Sequence, residues 1–321
     1  MEDTSFTKYP SIKTIHRTRQ PNDSDDVVIT EKVHGSNFQV RVNMNSSGEV
    51  IITYAKRSGP IPHKENFFNY RAVMEKYQKN WSMLEGYIRG VENFSELLIF
   101  GELYGGHYHG QKATGHTTVQ KSKFANYSQE NDFVIFDIVL NNRWFTWGET
   151  IEFCTNQLQM NHVPEFARGK WRDLKKSFDV ESTQSLLSLH HNGDDGADNP
   201  IEGVVVRSLC PHSATAEGMD TRFKWKAREM CEGSVEHKPA TLDTVCEMMN
   251  EPRFQAYLSK VGPTEIVDGN THKHIKEMVQ DVLTDIRDAQ PDIDEKTLKS
   301  YWKPLSNAAH RLIFDYKCLP L

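Results

Sequence analysis

A lysine three residues before a glycine, in Glu31-Lys32-Val33-His34-Gly35-Ser36-Asn37, offers an amine that can attack phosphorus. Attack needs the neutral amine. Unperturbed lysine titrates near pH 10.4, so bringing it near 7 takes about 3 pH units, or ~4 kcal/mol of differential stabilisation. Desolvation and neighbouring cations provide this. Lys224 and Lys226 alternate within FKWKAR (223–228). On a strand they share a face, where their charges also neutralise nucleotide phosphates. Glu102 and Glu202 bring carboxylates for ribose hydroxyls or a divalent cation, since hard cations prefer oxygen. Phe136 brings a ring that can stack on a purine. Together these residues describe covalent nucleotidyl transfer.

A lone K-x-x-G is common. Here it stands first in an ordered series, followed by TYAKRSGP (53–60), IFGELYGG (99–106), FVIFDI (133–138), IEGVVVR (201–207) and FKWKAR. Each block sets charge at or beside the end of an apolar strand, which buried strands seldom carry unless the charges line a site.

The elements that must position these blocks are mostly strands. VVITEK (27–32) ends in polar residues, and FQVRV (38–42) alternates apolar and polar. NSSGE (45–49) leads to VIITYAKR (50–57), a hairpin or meander signature. LLIFGEL (97–103) and FVIFDIVL (133–140) read as buried strands, and GVVVRS (203–208) and RFKWKA (222–227) as further strands. Residues 65–89 carry one or two helices and 147–159 another. The run 190–200, HHNGDDGADNP, is loop chemistry.

After about residue 235 the pattern becomes helical. Pro239 and Thr241 suit a helix start, and Ile275, Met278, Val279, Val282, Leu283 and Ile286 form one stripe. The expectation is an α+β, antiparallel-sheet domain over 1–234 and a small all-helical domain over 240–321, joined by a linker near 231–240.

The 321 residues suit about two domains at roughly 150 residues each. With 37% hydrophobic and 26% charged residues, the chain is foldable rather than disordered. No apolar run approaches the ~18 residues of a membrane span, and no secretory signal opens the chain, so a cytoplasmic protein is expected. Five cysteines without a C-x-x-C pair argue against a zinc finger or disulfide scaffold. A net charge of −6 excludes a globally basic nucleic-acid binder. Local basic runs at 17–19, 168–176 and 222–228 can line a groove or lie on a solvated face.

The six blocks resemble the covalent nucleotidyltransferases, the superfamily of ligases and capping enzymes. Their detailed wording is similar to the RNA ligase 2 family, which includes bacteriophage double-stranded-RNA ligases and trypanosome editing ligases. The resemblance covers roughly 27–229 and implies an ATP-grasp-like ligase domain with a helical C-terminal RNA-binding domain.

It also implies roles. Lys32 would form lysine–AMP. Glu31 would help read adenine, partly through its backbone. His34 and Asn37 would lie near the phosphates, and Arg57 near sugar and phosphate. Gly35 would support the motif. Glu102 would bind ribose, Phe136 would stack on adenine, and Asp137 would support the site. Glu202 would serve the metal-assisted steps, and Lys224 and Lys226 would contact phosphate and help pyrophosphate leave. Arg207 stands where some relatives carry lysine, and Arg is a wider, forked donor.

The implied activity is ATP-dependent RNA ligation with Mg²⁺, or Mn²⁺ in its place. The implied partner is RNA, as nicked duplex or bridged ends, with no membrane and no obligate protein partner. The alternatives are a DNA ligase or mRNA guanylyltransferase, which usually carry an OB-type barrel after the K-x-K block, and an inactive RNA-binding relative. In the C-terminal domain, His272, Lys273, His274 and Lys276 are the expected RNA contacts.

Other features read as structural. GGHYHGQK (105–112) falls short of a Walker A loop because its lysine comes one position late and no Ser/Thr follows. His107, His109 and the pair His190-His191 beside Asp194 and Asp195 read as surface loop residues. Trp144, Trp147 and Trp171 read as core.

Overall fold

A computed structural model describes residues 6–15, 20–111, 113–119, 126–188, 199–209, 221–227, 242–290 and 292–318. The basic run 17–19, the His190-His191 group, Cys210, Cys231, Arg228, the linker near 231–240 and the helix start at Pro239 and Thr241 lie outside these residues. The chain divides into two compact units, Met1–Arg228 and Glu229–Leu321.

The first unit holds two antiparallel sheets. Sheet A has the order β10-β9-β1-β8, and sheet B the order β4-β3-β2-β5-β6-β7. In sheet A, β1 (Asp26–Glu31) lies between β8 (Glu165–Lys170) and β9 (Gly203–Ser208), and β10 (Arg222–Lys226) pairs with β9. Sheet B runs from β2 (Ser36–Met44), β3 (Val50–Lys56) and β4 (Gly59–Pro60) to β5 (Glu96–His107), β6 (Ser128–Leu140) and β7 (Arg143–Trp144).

Strand alternation sorts the side chains. Val40, Val42, Leu97, Ile99 and Ile138 turn to the face covered by α1 (Tyr70–Lys76) and α2 (Gln78–Arg89). Tyr104, Val134 and Phe136 turn the other way and meet Val28 of β1, Trp147 and Leu187. The sheets thus share one apolar layer, and each such side chain contributes about 1.5–3 kcal/mol by leaving water. The far face of sheet A is closed by Trp171 at the start of α4 (Trp171–Ser177), with Val180 and Ile201.

Residues 147–159 form α3 (Trp147–Glu152), capped by the Thr146–Glu149 box, and a π-helical turn over Phe153–Leu158. Trp147 and Trp171 are core, and Trp144 stacks on Phe100 at 5.6 Å and 12°.

β8 has no legible pattern in EFARGK and forms by docking on the apolar edge of β1. The basic run 168–176 becomes the end of this strand and α4. Its charges pair locally, Arg168 with Glu165 at 2.9 Å and Lys170 with Asp26 at 2.8 Å. They form a solvated face and not a groove.

The second unit is helical throughout its described residues: α5 (Leu242–Glu247), α6 (Glu251–Val261), α7 (Pro263–Asp268), α8 (Thr271–Ala289) and α9 (Glu295–Cys318). The stripe Met278, Val279, Val282, Leu283 and Ile286 is buried against Phe254, Leu258, Leu305 and Ile313. His274 is a correction to the expected RNA contacts. It is fully buried, with Nδ1 at 2.8 Å from the Tyr257 hydroxyl and Nε2 at 3.0 Å from the Glu265 carbonyl. Burial pushes its pKa below the ordinary histidine value. No helix among the described residues is long and apolar enough to cross a membrane.

Candidate active site

The K-x-x-G segment is the chain's crossing from sheet A to sheet B. The Lys32 N–H donates to the Gly203 carbonyl at 3.0 Å, extending the β1–β9 ladder by one bond. The His34 N–H donates to the Tyr127 hydroxyl at 2.8 Å, and β2 then begins at Ser36. Gly35 passes so close to β5 that a Cβ would lie 2.2 Å from the Leu103 carbonyl oxygen. A side chain there would force the crossing open.

Because β9 lies between β1 and β10, one end of sheet A gathers three motif blocks. The Ala227 N–H donates to the Glu202 carbonyl at 3.1 Å, and Lys226 faces Gly203 in the ladder. Glu202, just ahead of β9, thus points its carboxylate between two ammonium groups. Its Oε2 lies 2.5 Å from Lys32 Nζ and 3.3 Å from His34 Nδ1, and its Oε1 lies 3.0 Å from Lys226 Nζ. Burial alone would raise the Glu202 pKa, but Lys32, Lys226 and His34 outweigh it and hold the carboxyl well below its usual range. Lys32 keeps 24% of its side chain exposed. The nucleophile candidate is thus reachable from outside while its carboxylate partner is buried.

Sheet B contributes the other wall. Glu102 faces Asn37 across the β2–β5 ladder, and the Gly35 N–H donates to its carboxylate. Burial lifts the Glu102 pKa to about 8 against the pull of the Lys32 ammonium; Glu202 adds to the rise, and Arg57 opposes it. Arg57 also donates from Nη2 to Ser11 Oγ at 3.2 Å. Lys224 shares its strand face with Lys226, and its N–H donates to the Lys13 carbonyl at 2.9 Å.

The raised pKa has a measurable sign. Between its ordinary value of 4.5 and about 8, Glu102 binds a proton in the folded, ligand-free protein that the unfolded chain releases. Its stabilising contribution is complete below 4.5 and declines as pH rises through that window. Glu102→Gln is expected to flatten the fall of Tm between about pH 5 and 8. An unchanged slope would mean that Glu102 is ionised as usual.

Four motif residues sit elsewhere. The Glu31 carboxylate is spent within the fold. It accepts from Ser185 Oγ at 2.6 Å and the Leu187 N–H at 3.1 Å, and burial raises its pKa to about 7. Its backbone N–H is spent on the Pro164 carbonyl at 2.9 Å. The carboxylate therefore anchors the 185–188 segment.

Arg207 pairs inside the fold. It is 2% exposed and donates from Nη1 to Asp137 at 2.7 Å and from Nη2 to the Phe136 carbonyl at 2.9 Å. Asp137 also accepts from Arg222 and from the Tyr9 hydroxyl, the latter at 2.6 Å. Burial would raise the Asp137 pKa, but Arg207 and Arg222 pull it below the usual carboxylate range. Phe136 meets the Tyr9 ring edge-on at 5.1 Å.

A bulge explains this arrangement. Phe100 pairs with Asp137 but Gly101 pairs with Ile135, so Phe136 is an extra residue and Phe136 and Asp137 turn to the same side. Arg222 and Tyr9 were not singled out from the sequence. Arg222 has a legible signal, lying two residues before Lys224 on the same strand face; Tyr9 has none.

The RNA ligase family profile matches residues 25–226. RNA-editing ligase 1, mitochondrial, of Trypanosoma brucei brucei is 26% identical over 228 residues, covering 62% of this chain and 47% of that protein. RNA-editing ligase 2, mitochondrial, of Trypanosoma brucei brucei (strain 927/4 GUTat10.1) is 33% identical over 129 residues, covering 36% and 30%. The chain thus spans less than half the length of these relatives. Among solved structures, Naegleria gruberi RNA ligase with PPi aligns with a TM-score of 0.45 at 18% identity, over 70% of this chain and 56% of that one. An archaeal ATP-dependent RNA ligase aligns with a TM-score of 0.41 at 15% identity, over 96% and 64%.

Proposed function

The chain belongs to the RNA ligase family, and from that premise we propose that it is an ATP-dependent RNA ligase, sealing 3′-hydroxyl/5′-phosphate nicks, preferably in duplex RNA. The observation that carries this reading is the convergence of Lys32, His34, Glu202 and Lys226 at one end of sheet A, with Glu102 and Asn37 on the facing ladder. An amine, cations for phosphates and carboxylates for hydroxyls then surround one space.

The reaction runs in three displacements. Lys32 Nζ, having lost its proton, attacks the α-phosphorus of ATP, the bond to the bridging oxygen breaks, and pyrophosphate leaves. The RNA 5′-phosphate attacks the lysine–AMP phosphorus and releases the amine. The 3′-hydroxyl attacks the activated 5′-phosphate, and AMP departs. Lys226 and Lys224 neutralise phosphate charge during these steps. Glu202 orients the Lys32 amine.

Glu102 and Glu202 are oxygen donors of the kind Mg²⁺ or Mn²⁺ takes, although among the described residues no three His, Cys, Asp or Glu side chains group to hold a metal. Phosphate oxygens and water would complete the shell, and a bound ion would neutralise phosphate charge. A capping enzyme or DNA ligase is disfavoured because the described residues after Lys226 hold helices and no strand, so an OB-type barrel has no place there. An inactive relative is disfavoured by the presence of Lys32.

The test incubates the protein with Mg²⁺ and α-phosphate-labelled ATP or GTP, then with nicked RNA or DNA duplexes. Covalent label from ATP and sealing of nicked RNA are expected. Label from GTP alone would indicate capping chemistry, and RNA binding without any adduct would indicate the inactive relative. Deleting 240–321 is expected to spare labelling and impair sealing; unimpaired sealing would remove the C-terminal unit from the reaction.

A further inference from the structure

Charge in the second unit is unevenly distributed. Of the ten Lys and Arg between residues 242 and 318, five lie on α9, but only two of the thirteen Asp and Glu do. Residues 242–294 keep five cations against eleven carboxylates. Within α9 the segregation is sharper. At about 100° per residue, Lys296, Lys299, Lys303, His310, Phe314 and Lys317 fall within an arc of about 60°. No other α9 residue falls in that arc, and Glu295 and Asp315 lie outside it. All six are exposed, while Leu298, Tyr301, Leu305, Ala309 and Ile313 on the opposite side enter the core.

Phe314 is 58% exposed, against 38% for Trp302 on the same helix. Its ring stacks on His310 at 6.4 Å and 12°. Lys317 donates to Thr271 Oγ1 at 3.0 Å, which holds its ammonium beside α8. This face sets a large apolar ring among lysines. That mixture suits a polyanion with flat bases: ammonium groups take phosphates and an aromatic platform takes a base. The stripe from Lys296 to Lys317 runs about 32 Å.

We propose that this face of α9 binds an RNA strand of the substrate, its lysines on backbone phosphates and the Phe314–His310 pair stacked on an unpaired or terminal base. The proposal rests on the RNA-ligase reading above, and it moves the RNA contact from the start of α8 to α9.

The test measures binding of the full chain to a synthetic nicked RNA duplex across a salt series, with covalent AMP labelling as a parallel readout. Lys299→Ala/Lys303→Ala is expected to make the slope of log K against log[salt] shallower by about 1.4–1.8. Phe314→Ala is expected to weaken binding on the order of 10-fold with an unchanged slope. Labelling by ATP should be unchanged in both. Lys273→Ala/Lys276→Ala on α8 serves as the comparison. Equal affinity and slope in wild type and the α9 variants, a loss confined to the α8 variant, or no RNA binding by the wild type would each overturn the proposal. Loss of labelling in the wild type would instead strike the reading it rests on.

Discussion

Lys32→Ala is expected to abolish covalent labelling by ATP, and Lys32→Arg should do the same. Alanine removes the only atom that forms the phosphoramidate bond. Arginine keeps the positive charge and much of the reach but does not lose its proton in proteins, so it provides no lone pair for attack. The pair of variants separates nucleophilicity from charge, which alanine alone does not. A further arm uses RNA already carrying AMP on its 5′-phosphate. With that substrate the first two displacements are complete, and Lys32→Ala should seal it in the absence of ATP. Label retained on Lys32→Ala would move the nucleophile elsewhere. Failure of both variants on the activated RNA would mean that Lys32 also acts in the last step.

Asp137→Ala should cost about 3–5 kcal/mol of stability, because it leaves Arg207 and Arg222 buried without the carboxylate they share. For a unit of this size that is a fall in Tm of about 10 °C. The cluster joins four separate pieces of chain: Tyr9 near the N-terminus, β6, β9 and β10. Arg222 shares its strand with Lys224 and Lys226, so the loss should also loosen the strand that carries these two lysines. Thermal denaturation reads the first effect, and KM for ATP in the labelling reaction reads the second. The Asp137 carboxyl is held below its ordinary 3.8, so this contribution is complete above that value and is lost as pH falls through the folded pKa. A Tm within about 2 °C of wild type would show that the two guanidinium groups find other acceptors.

Much of the architecture is legible in the sequence. Alternation in 38–42 and 50–56, the apolar runs at 97–103 and 133–140, and the helical stripe from Ile275 to Ile286 each report a local period of 2 or 3.6 residues. The motif order along the chain likewise picks out Lys32, Glu102, Glu202 and Lys226, which the fold brings near one another. These signals survive because strand and helix periodicity, and the residue types that covalent chemistry needs, are written over a few adjacent positions.

Tertiary structure decided the rest. Phe136 and Asp137 are neighbours that alternation would send to opposite faces; a one-residue bulge against β5 turns both toward Tyr9. Arg207 closes the EGVVVR block, and its guanidinium is spent on Asp137, 70 residues away. Glu31, next to Lys32, holds Ser185. β8 is a strand only because β1 has an open edge. His274 lies among exposed Lys273, Lys276 and His272, yet its own turn of α8 faces the core. In each case the residue's type and neighbours in the chain were known, but its partner lay on another element. A side chain's charge and reach are properties of the sequence, whereas the group that satisfies it is set by which strands and helices come to lie side by side.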